Sequence, residues 1–380
     1  MVIESSRAAA RHLYVHVPFC GRRCAYCDFS IAVRPVVPVD EYLQALAAEL
    51  PLRLDQRAAN SLDTVYFGGG TPSKLGGDGV RRALELVRQH ATLAHDAEVT
   101  LEANPEDITP EAAQAWARAG VNRLSIGSQS FDDAVLQWMH RTHDASAIRK
   151  AVGVARDAGF TNYSLDLIFA LPESLARDWA RDVQQALELE PAHLSLYGLT
   201  VEPHTPLGRW RARGSVAEAP EELYEAEFLY AHQALTMAGF DHYEVSNFGR
   251  PGLRSRHNGA YWTGVPYAAV GPSAHAFDGT RRLWNAAGYA EWLKLTGEGG
   301  DPVAGDETLT PENRIAEAVY LGLRTTGGLA LSPREQEHVR PWVANGWATL
   351  DQTGRLVLSA HGWLRLDALA ADLTLLRSRY

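Results

Sequence analysis

Over roughly the first 200 residues, short runs rich in β-branched and aromatic side chains alternate with longer stretches whose apolar positions recur every three or four residues. The short runs predict strands at "HLYVHVPF", "TVYFGGG", "EVTLEANP", "RLSIGSQS", "NYSLDLIFALP" and "HLSLYGLT". The longer ones predict helices such as "DEYLQALAAELPLRL", "GVRRALELVRQHA" and "ITPEAAQAWARAG". The last carries its own punctuation: Thr109 as N-cap, Pro110 in the first turn, Glu111 at the positive helix end and Gly120 as the stop. Strand followed by helix, repeated, is the pattern of βα units on a parallel sheet. About six such units are too few to close an eight-unit ring, so the expected fold is α/β, a partial (β/α)6 barrel. Most of the strands end in glycine or polar residues, on the face where parallel α/β proteins hold ligands.

Past residue 240 the pattern changes. "HYEVSNFGRPGLRSRHNGAYWTGVPYAAVGPSAHAF" has glycine, proline and aromatic residues without a clear period, and its aromatic content argues for order. Near residue 305, "DETLTPENRIAEAVYLGLR" starts a helix behind Thr310 and Pro311, and "GWATLDQTGRLVLSAHGWLRLDAL" predicts a hairpin followed by a helix. The expected organisation is therefore a core over residues 1–240, an irregular segment over 241–304, and a small α+β domain over 305–380.

Composition sets limits on this picture. The chain has 380 residues, 46% of them hydrophobic and 22% charged, and no apolar run approaches the ~20 residues of a membrane span. No apolar stretch with a small-residue cleavage site opens the N-terminus, so a cytoplasmic location is expected. The formal net charge of -10 offers no general attraction for nucleic acid, which disfavours a tRNA-modifying role.

The chain has three cysteines in all, Cys20, Cys24 and Cys27, inside "HVPFCGRRCAYCDF". An odd count in a reducing compartment points to metal or redox chemistry in preference to disulfides. A structural zinc needs four ligands, and His16 could supply the fourth, but zinc ligands usually come as two separated pairs. Gly21, Arg22 and Arg23 make the stretch a polar loop, which does not suit buried structural thiols. An iron-sulfur cluster held by three thiolates remains, and such a cluster keeps one iron without a protein ligand. In the next loop Gly68, Gly69 and Gly70 leave room for a ligand to approach backbone amides, with Thr71 adding a hydroxyl. No Gly-Lys-Ser/Thr follows, so this is not a Walker loop.

Cys-x3-Cys-x2-Cys directly after a first strand, followed by Gly-Gly-Gly-Thr-Pro after the second, resembles the radical SAM superfamily, in which S-adenosylmethionine (SAM) chelates the open iron. "YVHVPFCGRRCAYCDF", "VYFGGGTPS", "LEANPED", "SIGSQSF", "LDLIFALP" and "RHNGAYW" are together similar to the HemW-type haem chaperones of that superfamily, over nearly the whole chain. These chaperones are relatives of the oxygen-independent coproporphyrinogen III oxidase. The resemblance implies a 4Fe-4S cluster on Cys20, Cys24 and Cys27, and a HemN/HemW-type domain at the C-terminus. It implies SAM contacts from Tyr14, Tyr26, Gly69, Gly70, Thr71 and Glu102, with Gln129, Arg141 and Asp166 around a second SAM or the substrate. No residue is assigned a catalytic role.

The oxidase carries a further cysteine two residues after the third, where this chain has Asp28 and Phe29, and a longer arm than the dozen or so residues before Tyr14. Both departures point away from porphyrinogen decarboxylation. "RHNGAYW" resembles the haem-associated HNxxYW motif of the chaperones. Its expected roles are an axial ligand from His257, faces over the ring from Tyr261 and Trp262, and propionate contacts from Arg256, Arg254 or Arg250. The aromatics are expected off any helical stripe, and His16 and His275 are competitors for the iron. The expected function is a haem chaperone that binds haem and passes it to acceptor proteins; the alternative is a coproporphyrinogen oxidase.

Overall fold

The computed structural model describes residues 10–54 and 61–378. Residues 1–9, on which the expectation of no leader partly rests, lie outside the described residues.

Six strands follow the alternating runs: β1 (His12–Val17), β2 (Ser61–Gly69), β3 (Thr92–Ala103), β4 (Arg123–Gln129), β5 (Tyr163–Phe169) and β6 (His193–Gly198). They pair in chain order, every junction parallel. Between them run the helices α1 (Val39–Arg53), α2 (Gly76–His90), α3 (Pro110–Ala119), α4 (Ala145–Asp157) and α5 (Trp179–Glu188). The caps expected of α3 are present: the Thr109 side chain accepts the Ala112 amide, and Gly120 ends the helix at φ 104°.

The register sorts side chains by parity, because successive residues of a strand face opposite sides. Val15, Phe67, Leu101, Leu124, Leu165 and Leu194 lie on one face, each 1% exposed or less, packed under the helices. At about 1.5–3 kcal/mol for each buried side chain of this size, this layer is what holds the helices to the sheet. The opposite face carries Tyr14, Tyr66, Glu102, Arg123, Ser125, Asp166 and Ser195. A concave face so rich in polar groups needs partners inside the barrel, so it forms a cavity instead of a second core.

The segment after residue 240 is more regular than its sequence suggests. Strands β7 (Asp241–Glu244) and β8 (Asn247–Gly249) extend the sheet beyond β6 in antiparallel fashion. Strand β9 (Ala268–Val270) returns to the other end and pairs parallel with β1. The result is a nine-stranded open sheet with both ends edged by this segment. Three-residue strands are too short to show a period, which is why the pattern was unreadable. "RHNGAYW" itself begins the helix α6 (Arg256–Thr263), capped by the Ser255 hydroxyl, so the expectation of a non-helical aromatic group is corrected. His257 and Tyr261 are one helical turn apart, and their side chains touch.

A helix over Pro311–Arg324, capped by Thr310, packs on the final helix Leu366–Arg377, with a small antiparallel sheet that includes Ala348–Leu350 and Arg355–Leu358. No helix among the described residues is long and apolar enough to cross a membrane.

Candidate functional site

The C-terminal ends of the parallel strands surround a cavity of about 570 Å³. Cys20, Cys24 and Cys27 all line it, and all three are free thiols. Their loop is anchored at several points. Ala32 donates to the Pro18 carbonyl (2.7 Å), Arg34 to Cys20 (3.1 Å) and Ala25 to Met139 (3.0 Å). Cys20 Sγ lies 3.4 Å from Thr71 Oγ1, and Arg141 Nη1 donates to Cys24 Sγ at 3.4 Å. Burial pushes the Cys20 thiol up to about 11, against the pull of the Thr71 hydroxyl.

The glycine turn after β2 presses against this loop. A Cβ on Gly70 would stand 2.7 Å from the Pro18 carbonyl oxygen and 2.8 Å from that of Phe19, both backbone atoms. Gly69 has φ 116°, and its amide donates to Glu102 Oε2 at 3.2 Å. Glu102 also accepts the Tyr66 hydroxyl at 2.8 Å. Burial pushes this carboxyl up to about 7, against the pull of that hydroxyl.

Gln129, Arg141 and Asp166 line the same cavity. Gln129 ends β4 at φ 66°, a left-handed conformation that costs a non-glycine residue energy. Arg141 is held by Asn104 Oδ1 (2.6 Å) and the Gly127 carbonyl (2.8 Å). Asp166 accepts the Ser125 hydroxyl at 2.9 Å, and burial raises its pKa. Tyr26 joins them on the wall. Tyr14 does not: its hydroxyl pairs with His16 Nδ1 (3.2 Å), its ring stacks on Tyr66, and it borders a neighbouring cavity.

The expected haem set is not presented as one open surface. His257 is 1% exposed, with Nδ1 bonded to Thr64 Oγ1 (2.6 Å) and Nε2 to the Tyr261 hydroxyl (2.9 Å). With both ring nitrogens engaged, it has no lone pair free for iron in this conformation. Arg256 turns away to Asp96, Arg254 pairs with Asp241, and Arg250 donates to the Ala238 carbonyl. Trp262 lies under the Arg324 guanidinium, 4.2 Å from ring centre. What α6 does give the first cavity is Asn258.

Sequence reasoning missed Arg123, a lining residue 1% exposed whose Nε has no hydrogen-bond partner. Parity along "RLSIGSQ" could have found it, because Arg123, Ser125 and Gly127 share a face. Phe29, noted in the sequence only as a departure from the oxidase, is 66% exposed and lines the cavity.

Residues 14–186 match the family profile described as the Radical SAM superfamily. The chain is 39% identical to the Heme chaperone HemW of Mycobacterium tuberculosis (strain ATCC 25618 / H37Rv), over 95% of this chain and 94% of that protein. It is 34% identical to the Heme chaperone HemW of Bacillus subtilis (strain 168), over 83% and 84%. In fold it is similar to the coproporphyrinogen III oxidase HemN from Escherichia coli, with TM-score 0.81 and 24% identity, covering 97% of this chain and 91% of that one.

Proposed function

The chain belongs to the HemW haem-chaperone family within the radical SAM superfamily, and from that premise we propose that it binds haem and passes it to haem-accepting proteins with the aid of a 4Fe-4S cluster and SAM. The observation that carries this reading is the meeting of three free thiols, a glycine turn and a buried carboxylate in one cavity.

In this reading Cys20, Cys24 and Cys27 hold the cluster and the glycine turn, Thr71, Glu102 and Tyr26 receive SAM. Cluster and SAM together supply one-electron chemistry when bound. The chain's own part is positional. Arg141 places a cation against Cys24, where it offsets the negative charge of thiolates. Glu102, fixed by Tyr66 and Gly69, offers an acceptor to hydroxyl or ammonium groups of the ligand. Gln129, Arg141 and Asp166 form the far wall, suited to a second polar ligand. Tyr14 acts at one remove, through its stack on Tyr66. The three free cysteines and an oxygen-sensitive cluster suit a reducing cytoplasm. We read residues 1–240 as the core, 241–304 as the segment that couples the cavities to the sheet edges, and 305–380 as the HemN/HemW-type domain.

Phe29 favours the chaperone over the oxidase, since it stands where the oxidase has its further cysteine, and it borders the cavity together with Asp28. The test is hand-off. Protein reconstituted without oxygen, loaded with haem and mixed with a haem-free b-type cytochrome, should develop the acceptor's Soret spectrum. A Cys24→Ala protein should do so far more slowly; equal rates for the two would remove the cluster from the function.

A further inference from the structure

A second cavity, of about 380 Å³, lies on the other side of the cysteine loop. It is lined by Tyr14, His16, Asp28, Phe29, Ser30, Tyr261, Tyr267, Ser273 and His275, and Asp28 and Phe29 border the first cavity as well. We propose that this cavity seats the haem, with His275 as the axial ligand of its iron and Tyr261, Tyr267 and Phe29 against the porphyrin. The proposal rests on the haem-chaperone reading and deepens it by naming the seat.

The ligand follows from which imidazoles are free. Four histidines stand at or beside this cavity. His257 has both nitrogens bonded. His16 donates from Nε2 to the Ser30 carbonyl at 3.1 Å, which leaves Nδ1 to accept from Tyr14, and it is only 6% exposed. His12 is bonded through Nδ1 to Thr64 Oγ1 at 3.0 Å and does not line the cavity. The His275 side chain is different: it is exposed on the short strand His275–Phe277, its ring has no hydrogen bond among the described residues, and it stacks on the Trp284 ring, 6.1 Å between centres. Its neutral imidazole can give a nitrogen lone pair to iron with no proton leaving and no other bond broken.

The surroundings suit a flat aromatic ligand. Tyr261 and Tyr267 meet edge to face at 4.7 Å and present aromatic surface on one side, while Phe29, 66% exposed, overhangs from the cysteine loop. The volume is in the range of small-molecule sites, about 300–1,000 Å³, yet small for a whole porphyrin. A ring seated here keeps its propionate edge in water, which suits a cargo that must leave. Ser273 holds φ 59° two residues before His275, a strained conformation beside the ligand position. Because Asp28 and Phe29 directly follow Cys27 and wall both cavities, a change at the cluster reaches the haem through two side chains.

The test uses full-length protein reconstituted without oxygen and titrated with haem, in the ferric and the ferrous-CO forms. Wild type should bind haem with a histidine-type spectrum. His275→Ala should bind at least tenfold more weakly with a displaced Soret band, while iron, sulfide and SAM binding at the cluster stay at wild-type values. His275→Met, which restores a ligand of another class, should recover binding with a thioether-type spectrum. Unchanged affinity and spectrum in His275→Ala would overturn the assignment while leaving the chaperone reading intact. Wild type that binds no haem at all would overturn that reading as well.

Discussion

Each thiol lines the cavity from a loop fixed by backbone hydrogen bonds, and a cluster held by three thiolates loses a third of its protein ligands with any one of them. Cys24→Ala should therefore lose most of its iron and sulfide and the brown cluster absorption after anaerobic reconstitution; full iron content in that variant would contradict the assignment. Glu102 gives a pH prediction. Its carboxyl is held at about 7, chiefly by burial, and the ionised form is the better acceptor for SAM hydroxyls and ammonium. Binding should then strengthen as pH rises through 7 and be roughly tenfold weaker at pH 6 than on the alkaline plateau. In Glu102→Gln that pH dependence should vanish and SAM should bind weakly throughout. A wild-type SAM dissociation constant flat between pH 6 and 8 would move the contact to another residue.

At the scale of elements, two junctions carry the site. The glycine turn after β2 and the backbone at Pro18–Phe19 meet with no room for a Cβ at Gly70. Gly70→Ala should cost about 1–3 kcal/mol of stability. It should also displace the cysteine loop, so iron content and SAM binding fall together; loss of SAM binding with the cluster fully loaded would mean the turn acts on SAM alone. The second junction is α6 on β3. Glu98, 7% exposed, accepts the amides of Arg256 and His257, both at 3.0 Å. Glu98→Ala leaves two helix-end amides, that of His257 buried, without partners and should cost about 1–3 kcal/mol in urea unfolding. The core elements were legible in the sequence because strands of six residues or more show their period and α3 shows its caps. The edge strands and α6 were not, because three residues carry no period and "RHNGAYW" buries a histidine on its apolar side. For the same reason the cluster loop is readable, as three cysteines at tight spacing, while Thr64, which binds His257 Nδ1, lies 193 residues away in the chain.

On the scale of the whole molecule, the sheet is a frame with two cavities on either side of one loop. The parallel strands set the first cavity at their C-terminal ends, and the segment after residue 240 supplies much of the second. That segment is tied to the helix Pro311–Arg324 through Arg324, which faces both Trp262 and, at 3.0 Å, the carboxylate of Glu244. The fold is shared with an oxidase that acts on a porphyrinogen, so fold alone does not separate the two chemistries. Function has to be read at the loop after Cys27, where Asp28 and Phe29 wall both cavities, and at the exposed imidazole of His275 that lines the second with them. The most direct measurement gives the same cluster-loaded, SAM-supplied protein both molecules under reducing, oxygen-free conditions, and quantifies bound haem alongside released CO2 and product porphyrinogen from coproporphyrinogen III. The expected result is stoichiometric haem on the protein and coproporphyrinogen III recovered unchanged; multiple turnovers of coproporphyrinogen III with no haem retained would contradict the account.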